Sequence, residues 1–266
     1  MSKSDDFGQR FKRAVESNFD QSAGLYDDFE GRHHLFAGIA RRLCDAAAPF
    51  SPRRILDVGC GTGISTVAIL DAVPEAREIT GIDISDVMLQ KARARLGGDS
   101  RARFVRGDAE RLTDHFPGPF DAIFYTASIF LIPDFRQSIA QACRLLSGGG
   151  FLLISFYDGF FDVEGRDAFA RVFPERSYRY GTVQFDDLHA CLAATPELAV
   201  RVIDYRFEVT RGLVLEFLTI PAQSAGLFPK IPYLERIGPI GDLVSNLFAH
   251  VDPLFMGWKF VICRKR

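Results

Sequence analysis

The nine residues from Ile55 to Gly63, reading Ile-Leu-Asp-Val-Gly-Cys-Gly-Thr-Gly, constrain the fold of this chain more than any other stretch. Ile55, Leu56 and Val58 form the short apolar run of a parallel strand buried on both faces. Gly59, Gly61 and Gly63 follow at alternate positions, where a side chain would obstruct a tight turn or a closely approaching ligand. Apolar residues at helical spacing resume from Ile64 to Leu70. Strand, glycine turn and helix in succession place backbone N–H groups at the carboxyl edge of a sheet. The glycines run G-x-G-x-G rather than the G-x-G-x-x-G of a dinucleotide site, and Asp57 stands just ahead of them. A carboxylate there repels a pyrophosphate and suits a ligand that carries an ammonium group.

Further strands are predicted downstream, several with a chemistry-bearing residue at the carboxyl end. The second, Glu78 to Ile84, ends Gly81-Ile82-Asp83-Ile84-Ser85, with Asp83 about 20 residues past the glycine turn. Its two acceptor oxygens suit the vicinal hydroxyls of a ribose, and capping of the next helix, Asp86 to Leu96, is the plainer alternative. A short third strand closes on Gly107-Asp108-Ala109, and a fourth, Phe120 to Tyr125, brings Tyr125 and Thr126 to the same edge. Gly148 to Gly150 precede a fifth strand, Phe151 to Phe156, with Tyr157 and Asp158 just beyond it. Arg201 to Thr210 and Trp258 to Cys263 read as the sixth and seventh.

Asp57-x-Gly59-x-Gly61-x-Gly63, followed in order by Asp83 and Asp108, resembles the class I S-adenosylmethionine (SAM) methyltransferases. The resemblance implies an α/β, Rossmann-like, seven-stranded, mostly parallel sheet with the seventh strand antiparallel and helices on both faces. It divides the chain into a helical cap (1–50), a SAM-binding core (51–158) and a substrate-side part (159–266). That last part includes a late insertion over the active site (about 211–257) and the final strands. SAM is then the cofactor and S-adenosylhomocysteine the product. Asp57 and the backbone from Gly59 through Cys60 to Gly63 would hold the aminocarboxypropyl end, and Asp83 the ribose. Ile84 and Met88 would pack on the adenine, with Asp108 beside Ala109 accepting from its amino group. Phe19-Asp20-Gln21-Ser22-Ala23 with Tyr26-Asp27 is similar to the opening segment of small-molecule members, which puts Tyr26 over the SAM site. An amphipathic helix packed on the sheet accounts for the same residues. Phe130 and Leu131 stand near positions where many relatives carry His, so no proton acceptor stands out. Tyr125 and Tyr157 are the first candidates, then Asp158, His33 and His34. Neighbouring His33 and His34 point about 100° apart on a helix and have no companion ligands, so no metal is expected.

A formal net charge of −2 argues against a general nucleic-acid binder. Five scattered cysteines without a C-x-x-C pair fit reduced thiols, and Met1 to Arg13 shows no signal peptide, so a cytoplasmic protein is expected. No apolar run reaches the roughly 20 residues that span a bilayer, so no stable membrane insertion is expected. Phenylalanine is abundant, at 25 residues, and Phe160, Phe161, Phe169, Phe173 and Tyr178 crowd the second half, as an ordinary core or an apolar substrate chamber would require. Residues 211–257 read as a lid, a dimer arm or a membrane-surface contact, leaving monomer and homodimer both open.

The function expected is methyl transfer from SAM to a small, apolar or aromatic molecule. The alternative within the class is O-methylation of an acyl carboxylate, free or carrier-bound, with Arg32, Arg41 or Arg42 pairing the acid. Tyr125-Thr126-Ala127-Ser128 after the fourth strand is not the N-P-P-Y-type sequence of an amide methylase. Other classes are a nicotinamide oxidoreductase, opposed by the glycine spacing and the carboxylates, and a non-catalytic protein that keeps the SAM fold for binding.

Overall fold

Ile55, Leu56 and Val58 have no exposed surface, and they belong to the strand Arg54–Val58 (β1) near the middle of a single sheet. The computed structural model describes residues 3–175 and 181–266, and Tyr178 lies outside them. The other strands are β2 (Glu78–Asp83), β3 (Ala102–Arg106), β4 (Phe120–Thr126), β5 (Leu146–Phe161), β6 (Leu198–Val209) and β7 (Leu254–Lys265). The seven-stranded order is β3-β2-β1-β4-β5-β7-β6. β1 to β5 pair in parallel, and β7 runs antiparallel to both neighbours, as the resemblance implies. Strand order reverses between β1 and β4, so the connections leaving their carboxyl ends diverge and open a crevice there.

Helices α1 (Lys3–His33) and α2 (Leu35–Ala47) precede the sheet, and α3 (Ile64–Ala72), α4 (Asp86–Leu96), α5 (Leu112–His115) and α6 (Phe135–Leu145) fall between its strands. After β5 come α7 (Ala168–Val172) and α8 (Phe185–Ala193), and between β6 and β7 lie α9 (Arg211–Thr219), α10 (Pro221–Ser224) and α11 (Ile237–His250). The break between α1 and α2 has a local cause. His34 adopts a left-handed φ of 49°, and the buried Glu30 carboxylate accepts the N–H groups of Phe36 and Ala37, each at 2.9 Å. Those amides open α2 and have no partner within it, so Glu30 ends one helix and starts the next.

Phe124 and Tyr125 are consecutive in β4 and project to opposite faces. Phe124 meets the Phe50 ring on the α2 side, whereas the Tyr125 hydroxyl lies 2.7 Å from Ser138 Oγ in α6. Helices therefore cover both faces.

The late strands are longer than their sequence pattern suggests. β5 continues to Phe161 because β7 pairs with it as far as Phe161↔Phe255. Its glycine triplet occupies an irregularity between the pairs Phe120↔Leu146 and Ala122↔Phe151. β6 and β7 match residue for residue from Leu198↔Lys265 to Val209↔Leu254. Pairing over that length holds residues such as Asp204 and Lys259 that sequence alternation alone leaves ambiguous. In the 211–257 segment, α10 docks on α1 through the Ala222 N–H, which donates to Ser22 Oγ at 2.9 Å.

Candidate functional site

Gly59, Gly61 and Gly63 all have positive φ, at 72°, 54° and 80°. A Cβ on Gly59 would lie 2.5 Å from the Cβ of Ser128, inside contact distance of a side chain fixed by its own 2.6 Å hydrogen bond to the Val58 carbonyl. Gly61 differs: a Cβ there would meet nothing within 4 Å, because it would project into open cleft. Gly59→Ala is therefore expected to destabilise the protein by about 2–4 kcal/mol, from strain and overpacking together, measured by urea denaturation.

Asp83 ties this turn to the next helix. Its Oδ2 accepts the Gly61 N–H and its Oδ1 the Ser85 N–H, both at 2.9 Å. Burial pushes the carboxyl up, the bonds from Ser85 and Gly61 oppose that shift, and nearby Asp20 adds to it. Each oxygen retains a lone pair for a ligand on the cleft side. Asp57 sits deeper. It is fully buried, and its Oδ2 accepts from Ser65 Oγ and Thr66 Oγ1, each at 2.8 Å. Its Oδ1 has no partner among the described residues. Burial raises its pKa to about 6, the hydroxyls of Ser65 and Thr66 oppose the rise, and Asp83 reinforces it. Asp57 does not itself line the cleft, but Ser65 on the first turn of α3 does.

The cleft opens at the carboxyl ends of β1, β2 and β4. The structure brings together in its walls Gly59, Cys60, Gly61, Asp83, Ile84 and Met88 from the turn and second motif. Asp108, Ala109, Thr126 and Tyr26 complete the gathering. Gly63 is set back, where a Cβ would come 3.1 Å from that of Ala92. Thr126 Oγ1 is buried without a partner among the described residues, which suits a wall facing a polar ligand. Lys12 was not foreseen: its ammonium stands 2.7 Å from Asp108 Oδ2 and also pairs with Glu110. Nothing near Lys12 in the sequence signals this, because the contact spans 96 residues.

Four candidates fall elsewhere. Tyr125 is buried on the α6 face, outside the cleft, and burial holds its hydroxyl well above the usual phenol range. Asp158 lies within β5 rather than beyond it and pairs with Lys259 at 3.2 Å, on the face where Lys259 covers the Phe185 ring of α8. His33 contacts Glu216 of α9 at 3.0 Å, and His34 is exposed at the helix break. The arginines expected to pair an acid are also engaged elsewhere. Arg32 pairs with Glu216, Arg41 with Asp71, and Arg42 covers the Tyr205 ring. Among the described residues no group of three His, Cys, Asp or Glu is placed to hold a metal, and no helix is long and apolar enough to cross a membrane.

Tyr157 is the exception among the late residues. It lines a narrow recess that shares Phe19, Tyr26, Phe36 and Ala127 with the cleft. Its remaining walls are Phe130, Phe217, Gln223 and Trp258. Tyr26 and Phe36 stack with ring centroids 4.6 Å apart, Tyr157 and Trp258 lie 5.4 Å apart, and Phe217 closes on Tyr157 at 5.8 Å. Phe217 and Gln223 arrive from the 211–257 segment and Trp258 from β7, so no local motif announces the chamber.

Comparison with known proteins agrees with this geometry. A family model described as a methyltransferase domain matches residues 55–150. A malonyl-[acyl-carrier protein] O-methyltransferase of Halalkalibacterium halodurans is 32% identical over 162 residues, which are 57% of this chain and 58% of that one. The chain thus spans less than two thirds of that relative's length. Among solved structures, a phosphoethanolamine N-methyltransferase 2 of Haemonchus contortus in complex with SAM has a TM-score of 0.59 at 20% identity, covering 92% of this chain and 57% of that one. The [4+2]-cyclase SpnF has a TM-score of 0.62 at 20% identity, covering 94% of each chain. The glycine turn, the ordered carboxylates and the strand order thus stand on a Rossmann-like seven-stranded fold whose residues 55–150 match a methyltransferase domain.

Proposed function

We propose that the protein transfers the methyl group of SAM to a small aromatic molecule bound in the chamber beside Tyr157 and Trp258. The observation that carries this reading is the wall the two spaces share: Phe19, Tyr26, Phe36 and Ala127 line both the cleft walled by Asp83 and Asp108 and the aromatic recess beside Tyr157 and Trp258. The residues fit SAM, since Gly61 offers a side-chain-free approach and Asp83 keeps acceptor capacity for a diol. SAM supplies a methyl group on a sulfonium, ready for in-line displacement. Asp83 would hold the ribose, Ile84 and Met88 the adenine faces, and Asp57, buried beneath the turn, would attract the ammonium. Tyr26 and Phe36 would exclude water from the reacting centre and orient the acceptor ring.

No carboxylate or imidazole lines the chamber among the described residues. An acceptor that ionises readily by itself, such as an acidic phenol, is therefore favoured over one that needs a strong base. The engaged positions of Arg32, Arg41 and Arg42 count against O-methylation of an acyl carboxylate, the activity in the name of the Halalkalibacterium relative. SpnF, named a cyclase, indicates that this fold also serves other chemistry. The test is incubation with SAM carrying a labelled methyl group and two acceptor panels, one of phenols and one of acyl acids. Label is expected in the phenols. Transfer only to the acyl acids would overturn the substrate class, and SAM binding without transfer to either panel would favour the non-methylating alternative.

A further inference from the structure

We infer that the inner end of the chamber recognises a hydroxyl group on an aromatic ring, with Trp258 and Gln223 as the specificity-determining pair. The inference rests on the reading of the adjoining cleft as a SAM site.

Trp258 and Gln223 are each only 2% exposed, and both line the chamber. Trp258 Nε1 and Gln223 Oε1 are buried without a hydrogen-bond partner among the described residues. Buried polar atoms in native structures are nearly always paired, so two orphans in one small cavity point to a missing partner. Packing alone does not require the amide of Gln223, whose space a methionine would fill. The two groups are complementary: an indole N–H only donates, and an amide oxygen only accepts. A single hydroxyl oxygen answers both, accepting from Trp258 while its proton goes to Gln223. A ketone or ether answers only Trp258, and a hydrocarbon answers neither. The rings of Phe36, Tyr157 and Phe217 around the pair select a flat, apolar body for that hydroxyl.

The site discriminates because an analogue lacking the hydroxyl leaves both buried groups unpaired. Gln223 belongs to α10, which is anchored to α1 through Ser22, so the acceptor is held in place before the ligand arrives. A single trapped water is the competing occupant, since it too can pair with both atoms.

Trp258 is the chain's one tryptophan, so its fluorescence reports the chamber directly. The experiment titrates protein saturated with S-adenosylhomocysteine with para-cresol, para-methylanisole and toluene, following Trp258 emission. Binding of S-adenosylhomocysteine is measured separately by calorimetry. Para-cresol is expected to bind at least about tenfold tighter than toluene, with para-methylanisole between them. In Gln223→Met the cresol-to-toluene ratio should fall below about threefold, while S-adenosylhomocysteine affinity stays within about twofold. Equal binding of cresol and toluene by the wild type, or an unchanged ratio in Gln223→Met, would overturn the assignment and leave the pair to water. If Gln223→Met fails to bind S-adenosylhomocysteine, the wild-type ratio and Gln223→Asn decide instead. Failure of the wild type to bind S-adenosylhomocysteine would overturn the cofactor reading itself, a distinct result.

Discussion

Asp83→Ala is expected to weaken SAM binding by at least about 100-fold. The side chain has two jobs at one place. It accepts the N–H groups of Gly61 and Ser85, which fixes the glycine turn against the first turn of α4. Its remaining lone pairs are the acceptors proposed for the ribose. Hydrogen bonds to a charged acceptor are worth about 1.5–3 kcal/mol each, so losing the ribose pair alone accounts for a 100-fold effect. The loosened turn adds to it, because Gly61 is a side-chain-free part of the cleft wall. Asp83→Asn retains an acceptor oxygen and should bind about tenfold more weakly than the wild type. Calorimetric titration with SAM measures both variants, and circular dichroism shows whether each is folded. A change below about threefold in a folded Asp83→Ala protein would remove Asp83 from the cofactor site.

The second large effect is linked to pH. Asp57 titrates at about 6 in the folded protein, above its unfolded value of 3.8, chiefly because burial penalises its charge. The folded state therefore binds more protons than the unfolded state between these values, and this group's contribution to stability falls as pH rises. The cost is absent below about pH 4 and complete above about pH 7, where it reaches roughly 3 kcal/mol. Asp57→Asn removes the titration. Relative to the wild type, its unfolding free energy should rise by about 3 kcal/mol between pH 4 and pH 8, followed by urea denaturation at each pH. Cofactor binding should show the reverse pattern. An ammonium favours the ionised carboxylate, so SAM should bind the wild type more tightly as pH rises through 6, and the Asn variant should lack that step. A stability difference that does not change with pH would show that Asp57 is not the titrating group.

The parts of this protein that the sequence disclosed are those in which chemistry and chain are adjacent. Asp83 and Asp108 stand at strand ends beside the residues that terminate those strands, so position along the chain was enough to bring them to one edge. Tyr125 failed on parity. Thr126 and Phe124 share one face of β4, and the residue between them must point to the other. Asp158 failed because β5 is lengthened by a partner about a hundred residues later, which turns an expected loop into strand. Lys12, Phe217, Gln223 and Trp258 come to the site from three separate segments, and tertiary packing alone brings them together. The carboxylates that would handle the cofactor were therefore legible, whereas most of the walls that would choose the substrate were not.

Lys12 bears on how a cofactor would enter and leave the cleft. Its ammonium rests on Asp108 Oδ2, and Asp108 Oδ1 already accepts the Glu110 N–H. An adenine that reaches for this carboxylate must share it with Lys12 or displace it, and the first turns of α1 travel with the lysine. A product nucleoside held there would meet the same obstacle on leaving. Where the adenine displaces Lys12, exchange of the cofactor would require this ion pair to break and the first turns of α1 to give way. Dissolved salt, which screens such a pair, would then speed exchange.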